Sequence, residues 1–218
     1  MFSSAPLPTA ARLRRSWRSG SRLALATALT GLVLGACFAG SAQAALISTG
    51  ACNGAALSQP FQRWGDSSSY ELVPGASFEG SPEGWSLSGG AARVPGSEPY
   101  GATGSVGSDS LALPAGASAQ SPFVCVNASY PTFRFFARNE RLLSTVLVQV
   151  VYQTPLGLVA LPLGAVAASW EWEPTLPMLT GSLVGAALSN GTAEVALRFT
   201  AVAGPSRIDD VFVDPRMV

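Results

Sequence analysis

The 218-residue chain carries 13 basic and 13 acidic side chains, and every basic one is arginine, because lysine and histidine are both absent. That excludes Ser-His-Asp and Cys-His catalysis, His-bound zinc and Lys Schiff-base chemistry. With only 12% charged residues and with 23 Gly and 16 Pro, the composition is that of a β-rich, turn-rich globular domain and not of a disordered chain.

Residues 1–44 read as an export signal. Arg12, Arg14, Arg15, Arg18 and Arg22 form a basic start, Leu23 to Phe38 is an uncharged apolar run, and Ala42-Gln43-Ala44 offers small residues where a signal peptidase reads. Cleavage is expected between Ala44 and Ala45. The run approaches the length of a membrane span, but the Ala-Gln-Ala site argues for removal. The alternative is lipid anchoring: Leu34-Gly35-Ala36-Cys37 has the form of a lipobox, with Cys37 as the acylated residue. Arg14-Arg15-Ser16-Trp17 also carries a faint twin-arginine pattern.

The mature chain retains eight Arg against 13 acids, a net charge of −5. It lacks the clustered cations that nucleic acid or an anionic membrane requires. No transmembrane segment is expected in it, and it is expected to be a monomer. Two cysteines remain, Cys52 and Cys125. Outside the cytoplasm an even pair reads as a disulfide. It would close a 74-residue loop, worth about 4 kcal/mol in the chain-entropy picture. Two separate buried thiols are the alternative.

Residues 45–69 read as an N-terminal arm and 70–218 as one domain. Strands are expected at 70–73, 84–87, 91–94, 110–113, 119–126, 132–138, 145–153, 158–163 and 178–184, then after the Asn190-Gly191 turn, and last at 207–213. In the sixth, Phe133, Phe135 and Ala137 share one face and Arg134, Phe136 and Arg138 the other. Roughly ten short strands with apolar residues on both faces of several imply two packed antiparallel sheets, an all-β jelly-roll β-sandwich.

Leu72-Val73-Pro74-Gly75-Ala76-Ser77-Phe78-Glu79-Gly80, with Glu83-Gly84-Trp85 after it and Ile208-Asp209-Asp210-Val211-Phe212-Val213 at the end, resembles the opening and closing strands of galactose-binding-like jelly-roll carbohydrate-binding modules. The likeness runs in order through Asp109–Leu113 and Thr132–Arg138. It departs at Pro74, where the related opening usually has Asn. The mature chain as a whole also resembles a widespread type of secreted actinobacterial protein, which gives location and no activity. The resemblance implies a structural calcium held by Glu79 and Asp209. Calcium takes several hard oxygens, and alternation points Asp209 inward and Asp210 outward. A carboxylate satisfied by N–H groups or an Arg is the alternative, and no cofactor is required.

Two further groups are candidates for glycan contact. Trp170 and Trp172 lie two apart and would share a face if extended, near Pro174 and Pro177. Packing against the sandwich is the competing fate of both, and Trp85 reads as core. Arg134, Arg138, Gln149, Gln153 and Arg198, with Phe136 and Glu194 beside them, would form one polar sheet face whose amides and guanidinium forks suit sugar hydroxyls. A solvated face with Arg–Glu pairs explains the same residues.

The leading expectation is a secreted, non-catalytic module that binds glycan at the cell envelope. A structural or protein-interaction module of the envelope comes second. A small glycoside hydrolase comes third, because Glu171 and Glu173 are sequence neighbours and not an opposed pair. Asn127-Ala128-Ser129 and Asn190-Gly191-Thr192 match the N-glycosylation pattern.

Overall fold

The computed structural model describes residues 56–127, 132–154, 156–180 and 192–215. The export signal, the Ala44–Ala45 junction, Cys37, Cys52, both N-glycosylation patterns in part and the Asn190-Gly191 turn lie outside them. The strands are β1 (Leu57–Ser58), β2 (Tyr70–Leu72), β3 (Ser86–Ser88), β4 (Ala92–Pro95), β5 (Asp109–Leu113), β6 (Ser118–Gln120) and β7 (Val124–Asn127). They continue with β8 (Thr132–Asn139), β9 (Thr145–Thr154), β10 (Gly157–Val166), β11 (Glu173–Pro174), β12 (Met178–Leu179), β13 (Thr192–Ala203) and β14 (Ser206–Asp214). Among the described residues the helical structure is one 3-10 turn, Gln62–Trp64.

The strands form two sheets, every pairing antiparallel. The first runs β1-β2-β14-β5-β4, with β8 on the other side of β14 and β11 and β12 beyond it. The second runs β10-β9-β13-β6-β3, and β7 extends β6 along β13. Leu111, Leu113, Phe133, Phe135, Ile208 and Val211 from the first sheet meet Val148, Val150, Leu197 and Phe199 from the second in one buried cluster. Phe135 and Phe199 touch edge to face across the gap, ring centroids 5.0 Å apart. The fold is a jelly-roll β-sandwich, as the alternation predicts.

Two expected elements differ. The strand expected over 119–126 is two strands, because Pro122 has no N–H for the ladder. Ser121 mends the gap: its N–H donates to the Leu197 carbonyl, and its hydroxyl accepts the Leu197 N–H, both at 2.9 Å. The expected alternation of the last strand also fails. Between Asp209 and Phe212 the register against β8 slips by one residue, a bulge at which Asp210 takes φ +44°. Ile208 and Val211 therefore both enter the core, and Asp210 is buried and not outward. Of the strand expected over 178–184, only β12 lies within the described residues.

Residues 57–66 cover the outer face of the first sheet. Phe61 is fully buried there among Tyr70, Phe136, Trp172 and Phe212, a second aromatic cluster behind the main core. It stacks on Phe136 at 5.6 Å and meets Tyr70 and Phe212 edge on at 5.1 and 5.5 Å.

Candidate functional site

The polar face expected from Arg134, Arg138, Gln149, Gln153 and Arg198 does not exist as one surface. Arg134 and Arg138 stand on β8 in the first sheet; Gln149 and Gln153 on β9 and Arg198 on β13 belong to the second. Arg134 is only 4% exposed, under Phe61. Its Nε donates to the Thr175 carbonyl at 2.7 Å and its Nη1 to Asp66 at 2.8 Å. Burial raises the Asp66 carboxyl, but hydrogen bonds from Tyr70, the Ser68 backbone and Arg134 outweigh it and hold its pKa below the usual carboxylate value. Arg138 is half-buried, 5.6 Å from the Trp172 ring centre. Arg134 holds the arm and the 168–175 segment and offers no free fork to a sugar, whereas Arg138 lies over Trp172 and reaches Glu140 at 3.5 Å with its Nε unpartnered among the described residues.

The tryptophan pair is split as well. Trp172 is 6% exposed and belongs to the aromatic cluster, while Trp170 is 57% exposed. Residues 169–171 form a bend, in which the Ser169 hydroxyl accepts the Glu171 N–H, so the segment is not extended and the two indoles do not share a face. Trp85 is core, as expected, and its indole donates to the Pro74 carbonyl at 2.9 Å. Glu171 and Glu173 are both exposed, Glu173 in register with Ala137 on β11.

What remains of the expected face forms a groove on the outer side of the second sheet. Arg198 is in register with Gln149 on one side and Gln120 on the other. Its Nε and Nη2 both donate to Gln120 Oε1, at 3.1 and 2.7 Å. Thr200 donates to the Ser118 hydroxyl at 3.1 Å, and Ser86 and Ser88 on β3 extend the row. These residues line a cavity of about 390 Å³. Gln153 lies four residues along β9 from Gln149, exposed but outside this cavity. Sequence reading missed Gln120, Ser118, Ser86 and Ser88, because alternation identifies outward residues without saying which strands are neighbours.

The residues expected to hold calcium are engaged separately. The exposed Glu79 carboxylate accepts the Ser108 N–H at 2.9 Å, the Ser108 hydroxyl at 2.8 Å and the Asp109 N–H at 3.0 Å. A Cβ at position 107 would occupy the space of its Oε1, so glycine there lets the carboxylate approach. These hydrogen bonds hold the Glu79 pKa low against a burial effect in the other direction. Asp209, fully buried, accepts the Ser97 hydroxyl, the Glu98 N–H and the Asp210 N–H at 2.8, 2.9 and 3.0 Å. Glu98, also fully buried, accepts the N–H groups of Tyr100 and Ala102 and shares a side-chain hydrogen bond with Asp210. Burial pushes Asp209 up to about 7; burial and the charges of Asp209 and Glu98 push Asp210 up to about 8. Hard oxygens suit a cation, but their arrangement does not. Among the described residues no three acidic, His or Cys side chains are placed to hold one, and N–H groups occupy Glu79 and Asp209. Hydrogen bonds from the chain itself therefore satisfy both carboxylates, the alternative to calcium that the sequence leaves open.

Cys125 lies on β7, half-buried; its expected partner Cys52 is outside the described residues. Among the described residues no helix is long and apolar enough to cross a membrane.

Comparison with solved structures finds similar chains, all at TM-scores below 0.5. The chain is similar to the CBM22-1–GH10 modules of Clostridium thermocellum xylanase 10B complexed with xylohexaose (14% identity, 67% of this chain and 28% of that one, TM-score 0.43). It is also similar to the C-terminal family 22 carbohydrate-binding module of the same xylanase (16%, 66% and 92%, 0.41). A third is the family 11 module of the C. thermocellum cellulosomal cellulase Lic26A-Cel5E (8%, 68% and 96%, 0.40). No protein-family model matches the sequence, and no curated protein does.

Proposed function

We propose that this chain is an exported, non-catalytic module that binds a neutral polysaccharide along the outer face of its second sheet. The observation that carries the reading is the convergence of Arg198, Gln120 and Gln149 with three serines and Thr200 in one groove. Planar amides, a guanidinium and hydroxyls supply donors and acceptors in the alternation that a sugar chain presents. The two hydrogen bonds from Arg198 to one Gln120 oxygen fix both side chains before a ligand arrives, which lowers the ordering cost of binding. Export rests on the Arg-rich, apolar and Ala-Gln-Ala segments of residues 1–44. The carbohydrate-binding modules that share the fold are consistent with it. Affinity electrophoresis of the full chain in gels containing xylan, β-glucan or galactan tests the reading. Retardation that Arg198→Ala abolishes supports it, and free migration in all three gels ends it.

One observation favours the second reading, an interaction module of the envelope. Among the described residues β10 pairs only with β9, and it presents Leu158 and Val159 at 55% and 42% exposure on a ten-residue edge. Such an edge can add a strand from another protein. Crosslinking from a photoreactive residue at position 159 to an envelope protein, with no retardation in any gel, would favour it.

A further inference from the structure

A second cavity, of about 320 Å³, lies between the 3-10 turn of the arm and the loop that joins β4 to β5. Its wall carries an assembly that the glycan reading leaves unused. The Trp64 and Tyr100 rings meet edge to face with centroids 5.0 Å apart. The Arg63 guanidinium sits 5.0 Å from the Tyr100 centroid and 5.8 Å from that of Trp64. Gln59 and Pro60 complete the arm side and Gly101 to Gly104 the loop side.

The parts are held from behind. Trp64 rests on Phe136 at 5.5 Å. The Tyr100 hydroxyl donates to the Trp172 carbonyl at 2.8 Å, and its backbone N–H is taken by Glu98. Gln59 Nε2 donates to the Ser67 carbonyl at 2.7 Å, which orients the amide, and among the described residues its oxygen takes no hydrogen bond. By contrast, Arg63 is exposed, and among the described residues it has no acidic partner. A cation stacked on two fixed rings keeps its N–H fork in one plane and ready for a carboxylate. The carboxylates nearest in the fold do not compete: Glu98 is buried on N–H groups and Asp66 is tied to Arg134.

We infer that this arm–loop cavity binds a carboxylated sugar, a uronic acid residue, with its ring against Trp64 and Pro60 and its carboxylate on Arg63. Neutral sugars would lose the charged contact, so the site differs in ligand class from the groove on the second sheet. It does not depend on that groove: the two lie on different sheets and share no lining residue.

Titration of the full chain with tri-galacturonate, followed by tryptophan fluorescence and calorimetry, tests the inference. Saturable binding is expected, weakening as NaCl is raised, and at least about tenfold weaker in Arg63→Gln, as loss of a charged hydrogen bond implies. Gln59→Ala should weaken it less, and Arg198→Ala should leave it unchanged. Galactotriose should not displace the acidic probe. No binding of tri-galacturonate, or equal affinity in wild type and Arg63→Gln, overturns the inference. Loss of acidic-sugar binding in Arg198→Ala alone would reassign the ligand to the groove and overturn it as well. Failure of the neutral-polysaccharide gels leaves this result independent, since those gels report on the groove alone.

Discussion

The guanidinium of Arg134 lies 4.2 Å from the centre of the Phe61 ring, closed between the N-terminal arm and the sheet beneath it. The contact joins two segments 73 positions apart in the chain, and the same arginine pairs with Asp66 at 2.8 Å. It serves as a clasp: the arm brings the ring and the carboxylate, and β8 brings the cation. Breaking one partner of a buried pair leaves the other charge uncompensated, so Arg134→Ala should destabilise the fold by about 3 kcal/mol. Urea unfolding measures this, and a loss below about 1 kcal/mol would show the clasp to be a surface pair.

The same clasp sets an acid limit. The folded Asp66 pKa is depressed, so its contribution is present above the unfolded value and is lost as pH falls through the folded one. Stability should fall below about pH 4, where ordinary Asp titrates. Asp66→Asn should be less stable near neutrality and show a flatter acid limb. Parallel limbs in the two proteins would remove Asp66 as the cause.

The acid cluster under the β4–β5 loop works in the opposite direction. Asp209 and Asp210 have raised folded pKa values, about 7 and about 8. Their contribution is complete below the unfolded carboxylate range and is lost as pH rises through these values. Glu98 and, more distantly, Glu79 add negative charge to Asp210. The melting temperature should therefore fall between about pH 4, where an unfolded Asp titrates, and about pH 8, and Asp210→Asn should flatten that fall. Because N–H groups and hydroxyls already satisfy Glu79 and Asp209, EDTA and added Ca²⁺ are expected to leave the melting temperature unchanged at pH 7. A calcium-dependent rise would return Asp209 and Glu79 to the role of ligands.

Much of the fold is legible in the alternation of apolar residues. Val146, Val148, Val150 and Tyr152 on β9 and Val195, Leu197 and Phe199 on β13 are all buried on one side, as period-two spacing requires. The candidate site was less legible. Arg134 has the same outward pattern as Arg198, and only the arm decides that one is buried and the other is not. Phe61 and Trp64 show no periodic signal, since a 3-10 turn is too short to carry one. The Asp209–Asp210 bulge shifts the pattern by one residue, and a one-residue slip exchanges the two faces of a strand. Glu98 is an ordinary acid in sequence; its burial follows from the long-range bonds of its neighbours Ser97 and Tyr100.

The split of Trp170 from Trp172 separates two roles that sequence assigns jointly. Trp172→Ala removes a buried ring and should cost about 3–5 kcal/mol. Trp170→Ala, at an exposed bend, should stay within about 0.5 kcal/mol of wild type. Neither should alter retardation on polysaccharide once folded protein is compared, because neither lines the groove. Reduced retardation of a fully folded Trp170→Ala variant would extend the glycan surface to that bend.

Ser121 offers the most local test of the second sheet. It is 2% exposed, and its hydroxyl both accepts the Leu197 N–H at 2.9 Å and donates to the Pro122 carbonyl at 2.7 Å. Ser121→Ala leaves the Leu197 N–H buried on the central strand of that sheet without an acceptor. A cost of about 1–3 kcal/mol is expected from an unsatisfied buried donor. Ser121→Thr keeps the hydroxyl, and its extra methyl has to fit beside Pro122, so part of the loss should be recovered. Amide exchange at Leu197 gives the site-specific reading: it should accelerate in Ser121→Ala well beyond the change at Phe199, whose N–H does not depend on this hydroxyl. Equal acceleration at both positions would mean that the sheet opens as a unit and that the hydroxyl is not what mends the break at Pro122.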